Sequence, residues 1–260
     1  MKLTKSDTVA KIVTDNIESA SIFNEYGINF YSKGNMTLEE ACNDGKVPIT
    51  SLVEDLSQLE AISTRPKHFA EMSTKRLSDL ILLRHHRFAE KKLIFIKHTL
   101  AKTIHTNESE QANLQLIKNA FEKLSEYLVA HMRYQEEIVF PVITMMGGQK
   151  AISSSSFMIL IKPLGSLGRE IEKELENLRI VVRAARNGCI KPENRSIYAT
   201  IYDATMVLEN DLKVHMHLEN NILFPKALDL AQTGKGNFDQ DIYQSPKGSI
   251  LSTHLSISVL

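Results

Sequence analysis

Nine histidines occur in the 260-residue chain, and three of them lie on the apolar stripes of different predicted helices. These three are His86, His131 and His215. A buried neutral imidazole needs partners for its ring nitrogens, so three imidazoles in one core favour a shared ligand. Glu219 follows His215 by four residues, so both side chains leave the same helix face and can reach one ion. Imidazole and carboxylate sets inside helical bundles commonly hold iron or manganese.

The other histidines have different predicted positions. His105 ends the first long helix and can approach a site from the mouth of the bundle, so we include it among the candidate ligands. Of the neighbours His85 and His86, we favour His86 for the inward position. His217 points off the apolar stripe, and we expect it to be solvated. The candidate metal ligands are therefore His86, His105, His131, His215 and Glu219.

A metal-free interpretation stays open for each of these residues. A single histidine on an apolar stripe is more often a hydrogen-bonded core residue than a ligand. His215 with Glu219 can equally be a simple ion pair across one helical turn. The coincidence on three helices is what favours a metal.

Four long helices have to position these side chains. Leu83 is expected on the inward stripe of the first helix and Ile138 on that of the second. Pro141 is expected to bend the second helix, and Pro163 to delay the start of the third. Short loops between long helices predict an all-α, up-down four-helix bundle. The predicted helices cover 77–104, 112–146, 164–187 and 193–231.

Residues 1–62 predict a small helical domain with four short helices. Asp7 can cap the first helix, Gly27 suits the end of the second, and Thr37 with Glu40 forms a capping box on the third. The remaining chain divides into a linker, the bundle and a polar tail. These segments cover 63–76, 77–231 and 232–260.

The composition excludes several kinds of partner. Lys+Arg and Asp+Glu number 31 each, so no net field attracts nucleic acid or an acidic membrane. No apolar run is long enough to span a membrane, and no secretory signal precedes the first helix. The cysteines, Cys42 and Cys189, fit a reducing compartment, and we expect a cytoplasmic protein. A homodimer is compatible with the sequence, which does not fix the oligomeric state.

Two long segments resemble a known family. HMRYQEEIVFPVI at 131–143 and DLKVHMHLENNILFPKAL at 211–228 resemble the signature helices of hemerythrin-like di-iron proteins. SASIFNEYGINFYSKGNMTLEEAC at 19–42 resembles the leading domain of one branch, the iron-sulfur cluster repair (repair of iron centres) proteins. The resemblance implies a non-haem di-iron centre, bridged by two glutamates, and repair of clusters damaged by nitric oxide or oxidants. Damaged iron-sulfur proteins are the implied partners.

Three positions depart from the family pattern. Gln135 stands where the second bridging glutamate is expected, with Glu136 one position out of phase. Lys162 replaces the histidine of the third helix, and Tyr31-Ser32 replaces an adjacent cysteine pair. A neutral amide is a poor bridge, and an ammonium group repels a cation. The departures predict a reduced or altered metal site.

The sequence thus leaves three functions open. The first is an iron-binding repair protein of the stress response, with one or two ions. The second is a metal-free bundle for partner binding or regulation, and the third is oxygen or nitric oxide sensing at a single iron. Geometry separates the first two: convergence of His86, His215 and Glu219 favours iron, whereas an ion pair between Lys162 and Glu219 favours the metal-free bundle.

Overall fold

The computed structural model describes residues 3–62, 69–106, 108–147, 152–188 and 195–233. In these ranges the secondary structure is helical apart from turns and one isolated bridge between Thr8 and Thr37, which confirms the all-α prediction. None of the described helices combines the length and the apolar character needed to cross a membrane. Residues 63–68 of the predicted linker and 234–260 of the predicted tail lie outside the described residues.

The N-terminal region contains the four short helices expected from its turn residues. The capping box is confirmed: the Thr37 side chain accepts from the Glu40 amide, and the Glu40 carboxylate accepts from the Thr37 amide. Gly27 follows the second helix with φ +70°, where a residue without Cβ is unstrained. The helices are α1 (Val9–Asp15), α2 (Ser19–Glu25), α3 (Leu38–Gly45) and α4 (Ile49–Ile62).

The predicted cap of α1 was wrong by one residue. The Thr8 hydroxyl accepts from the Lys11 amide and caps the helix, whereas the Asp7 carboxylate accepts from the backbone and hydroxyl of Thr4. Asp7 therefore stabilises the turn that precedes α1. The small domain is closed by its own apolar core, which includes Val9, Phe23, Phe30, Leu38 and Leu52.

Three π-helical segments join shorter helices into the long helices of the bundle. Ile81–His86 joins α5 to α6, Gln135–Val139 joins α7 to α8, and Glu219–Leu223 joins α10 to α11. The helices are α5 (Thr74–Leu80), α6 (Arg87–Thr106), α7 (Gln111–Tyr134), α8 (Phe140–Gly147), α9 (Ser154–Gly188), α10 (Arg195–Leu218) and α11 (Phe224–Thr233).

The long helices form a closed ring of neighbours. α6 packs on α7 and α10, and α9 packs on the same two helices from the other side. Each helix therefore lies beside the helix that follows it in the chain, which confirms the up-down four-helix bundle.

The third long helix begins ten residues earlier than predicted and runs through Pro163. Pro163 is exposed, so the carbonyl that loses its amide partner faces water. Phe157 and Leu164 are buried on either side of the proline, and Ser153 accepts from the Ser156 amide at the start. Burial of these apolar side chains outweighs the cost of one missing hydrogen bond.

Two π-helical segments end at a Phe-Pro pair. The amide of Phe140 donates to the Gln135 carbonyl, and the amide of Phe224 donates to the Glu219 carbonyl, each across five residues. The following residues, Pro141 and Pro225, have no amide to continue the regular pattern. A locally wider turn accommodates the proline without ending the helix.

Wider turns also change which side chains face inward. Leu83 and Ile138 were predicted on inward stripes, but both are exposed, Leu83 by 70%. The extra residue in each π-helical turn brings Ile81 and Val139 to the buried positions instead. The error came from extending a 3.6-residue period through segments that do not follow it.

Two isoleucines can test which face of α6 packs into the core; we call this orientation the phase of α6. Ile96 is fully buried, whereas Ile94 is 68% exposed. We expect Ile96→Ala to lower the free energy of unfolding by about 2–5 kcal/mol, because it leaves a cavity in the core. The matched change Ile94→Ala should cost less than about 0.5 kcal/mol. Urea unfolding followed by circular dichroism measures both, and equal losses would contradict the phase.

Candidate metal centre

A buried polar layer lies between two apolar clusters of the bundle. One cluster includes Leu93, Leu128 and Leu208, and the other includes Ile81, Val139 and Leu223. Three of the four long helices turn polar side chains into the space between them. The buried members of this layer are His85, His86, His131, Gln135, His215 and Glu219.

His86 lies at the centre of this layer with its two ring nitrogens in different environments. Nδ1 is 2.8 Å from Oε1 of Glu136, and a carboxylate only accepts, so Nδ1 carries the proton. Nε2 then presents a lone pair. This nitrogen is 3.0 Å from the amide oxygen of Gln135 and 3.3 Å from Nε2 of His215.

Glu219 is held by side chains from two helices. Its Oε1 lies 2.5 Å from Nε2 of His215 and also accepts from the amide nitrogen of Gln135. Its Oε2 is 3.5 Å from Nε2 of His131. The carboxylate is only 2% exposed, so these contacts replace the water that an ionised group requires.

The pKa values of His86 and Glu219 favour the protonation states in which these two residues bind metals. Burial, together with the nearby charge of His215, lowers the pKa of His86 to about 3, so its imidazole is neutral at neutral pH. Burial alone would raise the pKa of Glu219, but charge from His215 and hydrogen bonds from His131 and His215 outweigh it and lower that pKa. A neutral imidazole and an ionised carboxylate are the forms required of metal ligands.

The donor atoms fit a cation. One ligand atom each from His86, His215 and Glu219 lies within 4.8 Å of the others, and all three residues are buried. The lone pair of His86 Nε2 faces the Gln135 oxygen, and two such atoms repel unless a positive charge lies between them. Ligands bound at about 2.1 Å are about 3.0–3.4 Å apart, close to the 3.3 Å between the two Nε2 atoms. His215 Nε2 and Glu219 Oε1 are 2.5 Å apart because they share a proton, which an ion at this position would displace as the two atoms separate.

The other two predicted ligands have different positions. His131 contacts the far oxygen of Glu219 and does not belong to the converging group. His105 is exposed at the end of α6. It follows His86 by nineteen residues, about 28 Å along a helix, so the structure does not bring it to the layer.

Lys162 does not pair with Glu219. The lysine is exposed, and both Lys162 and the buried Glu219 line one open cavity of about 940 Å³. Gly165 and Gly168 of α9 line the cavity too, so the third long helix leaves an opening at this level. The geometry expected of a metal-free ion pair is therefore absent from this part of the described chain.

Two further buried histidines lie outside the group of converging donor atoms. His85 is buried beside His86, with Nδ1 3.0 Å from Oδ1 of Asp211. The expectation that His217 is solvated was wrong, because its side chain is fully buried against the N-terminal domain. Its Nε2 lies 3.3 Å from the Thr14 hydroxyl. The apolar periodicity of the bundle helices does not predict this burial, because it carries no information about contacts with the N-terminal domain.

Comparisons with known proteins match both the bundle and the N-terminal region. A family model described as the hemerythrin HHE cation binding domain matches residues 77–227, and a domain of unknown function, DUF542, matches residues 5–60. The chain is 24% identical over 226 residues to the iron-sulfur cluster repair protein ScdA of Staphylococcus haemolyticus, covering 86% of this chain and 99% of the relative. It is 25% identical over 214 residues to a probable iron-sulfur cluster repair protein of Haemophilus influenzae, covering 81% and 91%. It is 23% identical over 226 residues to the repair protein YtfE of an Enterobacter species, covering 86% and 97%.

Chemical labelling can test where the histidines lie. His98 and His105 are exposed, whereas His86, His215 and His217 are buried. We expect diethyl pyrocarbonate to modify the exposed pair first and the buried residues at least about tenfold more slowly, because they react only after local opening. Peptide mass spectrometry over time measures each rate. Labelling of His217 as fast as His98 would contradict its buried position.

Proposed function

Because the chain belongs to the family of hemerythrin HHE cation-binding domains, we propose that it binds one non-haem iron ion at His86, His215 and Glu219. The observation that carries this proposal is the convergence of the three buried donor atoms. Two histidines and one carboxylate form a recognised mononuclear iron(II) site. The amide oxygen of Gln135, 3.0 Å from His86 Nε2, is available as a neutral fourth ligand.

A single ion is supported by the charges of the layer. Two adjacent cations require bridging carboxylates to neutralise them, and Glu219 is the one carboxylate among the buried residues of this layer. Glu136 reaches His86 from the far side, at Nδ1, and Asp211 contacts His85. Both acids therefore orient histidines and do not face the converging atoms.

The neighbouring residues have definite roles in such a site. Glu136 fixes the proton of His86 on Nδ1, which leaves Nε2 to bind the ion. Gln135 and His131 hold the two oxygens of Glu219. The cavity beside Glu219 gives small molecules access to the site. An iron(II) ion in such a set offers open positions to small ligands such as dioxygen or nitric oxide.

We propose a role in the repair of iron-sulfur clusters, with damaged iron-sulfur proteins as partners. The support is similarity along most of the chain to proteins named for that repair. The cytoplasmic location and a homodimer stay predictions. The metal-free bundle is the alternative that the next experiment decides.

Metal analysis tests the proposed ligands directly. We expect about one iron per chain in protein from iron-supplied cells, and a loss of at least about nine-tenths of it in His86→Ala or His215→Ala, because each removes a ligand. His105→Ala is the matched control and should keep its iron. Circular dichroism checks that each variant is folded. Less than about a tenth of an iron per chain in the wild type would establish the metal-free alternative.

The number of ions can be tested at Gln135. We expect Gln135→Glu to raise the iron content above that of the wild type, because a second carboxylate beside Glu219 can bridge two ions. Without metal, the same change places two carboxylates together and should lower the melting temperature. Iron content and melting curves of apo and loaded protein measure both effects. Two irons per chain in the wild type would contradict a single ion.

A further inference from the structure

The turn that presents Glu219 also contacts the N-terminal domain. Asn220 and Asn221 follow Glu219 in the π-helical segment, and their side chains point towards the loop after α2. The Asn220 amide nitrogen donates to the carbonyl of Tyr31 at 3.2 Å. The Asn221 amide nitrogen donates to the carbonyl of Phe30 at 3.2 Å. We call these two asparagines the amide clasp.

The loop fits closely against the clasp. Gly34 is buried, and a Cβ added there would lie 2.6 Å from Oδ1 of Asn221 and 2.8 Å from the carbonyl of Phe30. Such distances require a shift of the backbone or of the clasp. The contact therefore depends on a glycine at this position, and the loop has little freedom to move relative to Asn221.

His217 adds a third connection two residues before Glu219. Nδ1 of His217 accepts from the amide nitrogen of Asn221 at 3.1 Å, so Nε2 carries the ring proton and donates to the Thr14 hydroxyl. The ring of His217 also packs on Phe30, with 5.9 Å between centroids. One face of the helix thus binds the N-terminal domain, while His215 and Glu219 on the other face meet the polar layer.

We propose that the amide clasp is a positioning device for Glu219, so that docking of the N-terminal domain and metal binding strengthen each other. This inference rests on the proposed iron site. The carbonyl of Glu219 accepts the wide-turn hydrogen bond from Phe224, so the conformation of residues 219–223 sets where the carboxylate lies. The clasp holds that conformation from outside, and a bound ion holds it through the carboxylate.

The coupling has to be reciprocal. If docking favours the turn that binds metal, then metal favours docking by the same factor. Residues 219–223 are the physical element whose conformation both the clasp and the ion bias. The coupling therefore does not require a chain of contacts between distant sites. A purely structural contact would instead lower the stability of apo and loaded protein equally and leave the metal affinity unchanged.

The test uses the full chain and cobalt(II) as the probe, titrated under anaerobic conditions and followed by visible absorption. We expect Asn221→Ala and Asn220→Ala to weaken cobalt binding, by about tenfold for Asn221, because they loosen the support of a ligand. Asn220 is exposed, so its variant keeps the packing of the core. Hydrogen exchange of residues 28–36 should slow on metal binding in the wild type, and slow less in the variants.

Asn24→Ala is the matched control. Asn24 donates to Oδ1 of Asn210, another side-chain contact between the domain and the bundle, but away from residues 219–223. Its cobalt affinity should equal that of the wild type. An equal loss in Asn24→Ala would overturn the specific role of the clasp. Wild-type affinity in both clasp variants would overturn the coupling alone, whereas no cobalt binding by the wild type would overturn the iron site itself.

Discussion

The burial of one carboxylate constrains the whole bundle. Glu219 is 2% exposed between two apolar clusters, where an unpaired negative charge would cost several kcal/mol. His215, His131 and Gln135 offset that cost, and they come from two of the long helices. The first long helix contributes His86, which contacts His215. The apolar clusters fix the helices, and the polar layer fixes which residues of those helices face one another.

The second and fourth long helices have the same local structure where their polar side chains enter this layer. His131 and Gln135 precede Phe140-Pro141 with the spacing by which His215 and Glu219 precede Phe224-Pro225. Each proline follows a π-helical segment, and each segment begins at the position that faces the layer. Such segments often occur at functional sites, because they turn a side chain away from the regular helical phase. The two halves differ in charge, since only the segment from Glu219 to Leu223 begins with a carboxylate.

The sequence was sufficient for the architecture and for the inward positions of His86, His215 and Glu219, because apolar periodicity and capping residues are local signals. It failed where a distant contact, a wide helical turn or the length of a helix decided the position of a side chain. His217 is buried by the N-terminal domain, which periodicity within one helix does not reveal. Leu83 was misplaced because the wide turn at Ile81–His86 has no proline to mark it. His105 resembles a ligand in sequence, but the length of α6 carries it away from the layer.

The central claim is that the layer holds a single ion at three protein ligands. Crystals of the iron-loaded protein, measured on both sides of the iron absorption edge, locate each ion independently of any assumed geometry. The account predicts one anomalous peak, about 2.0–2.2 Å from His86 Nε2, His215 Nε2 and a Glu219 oxygen. Two peaks in the layer, or none beside these three residues, would contradict it.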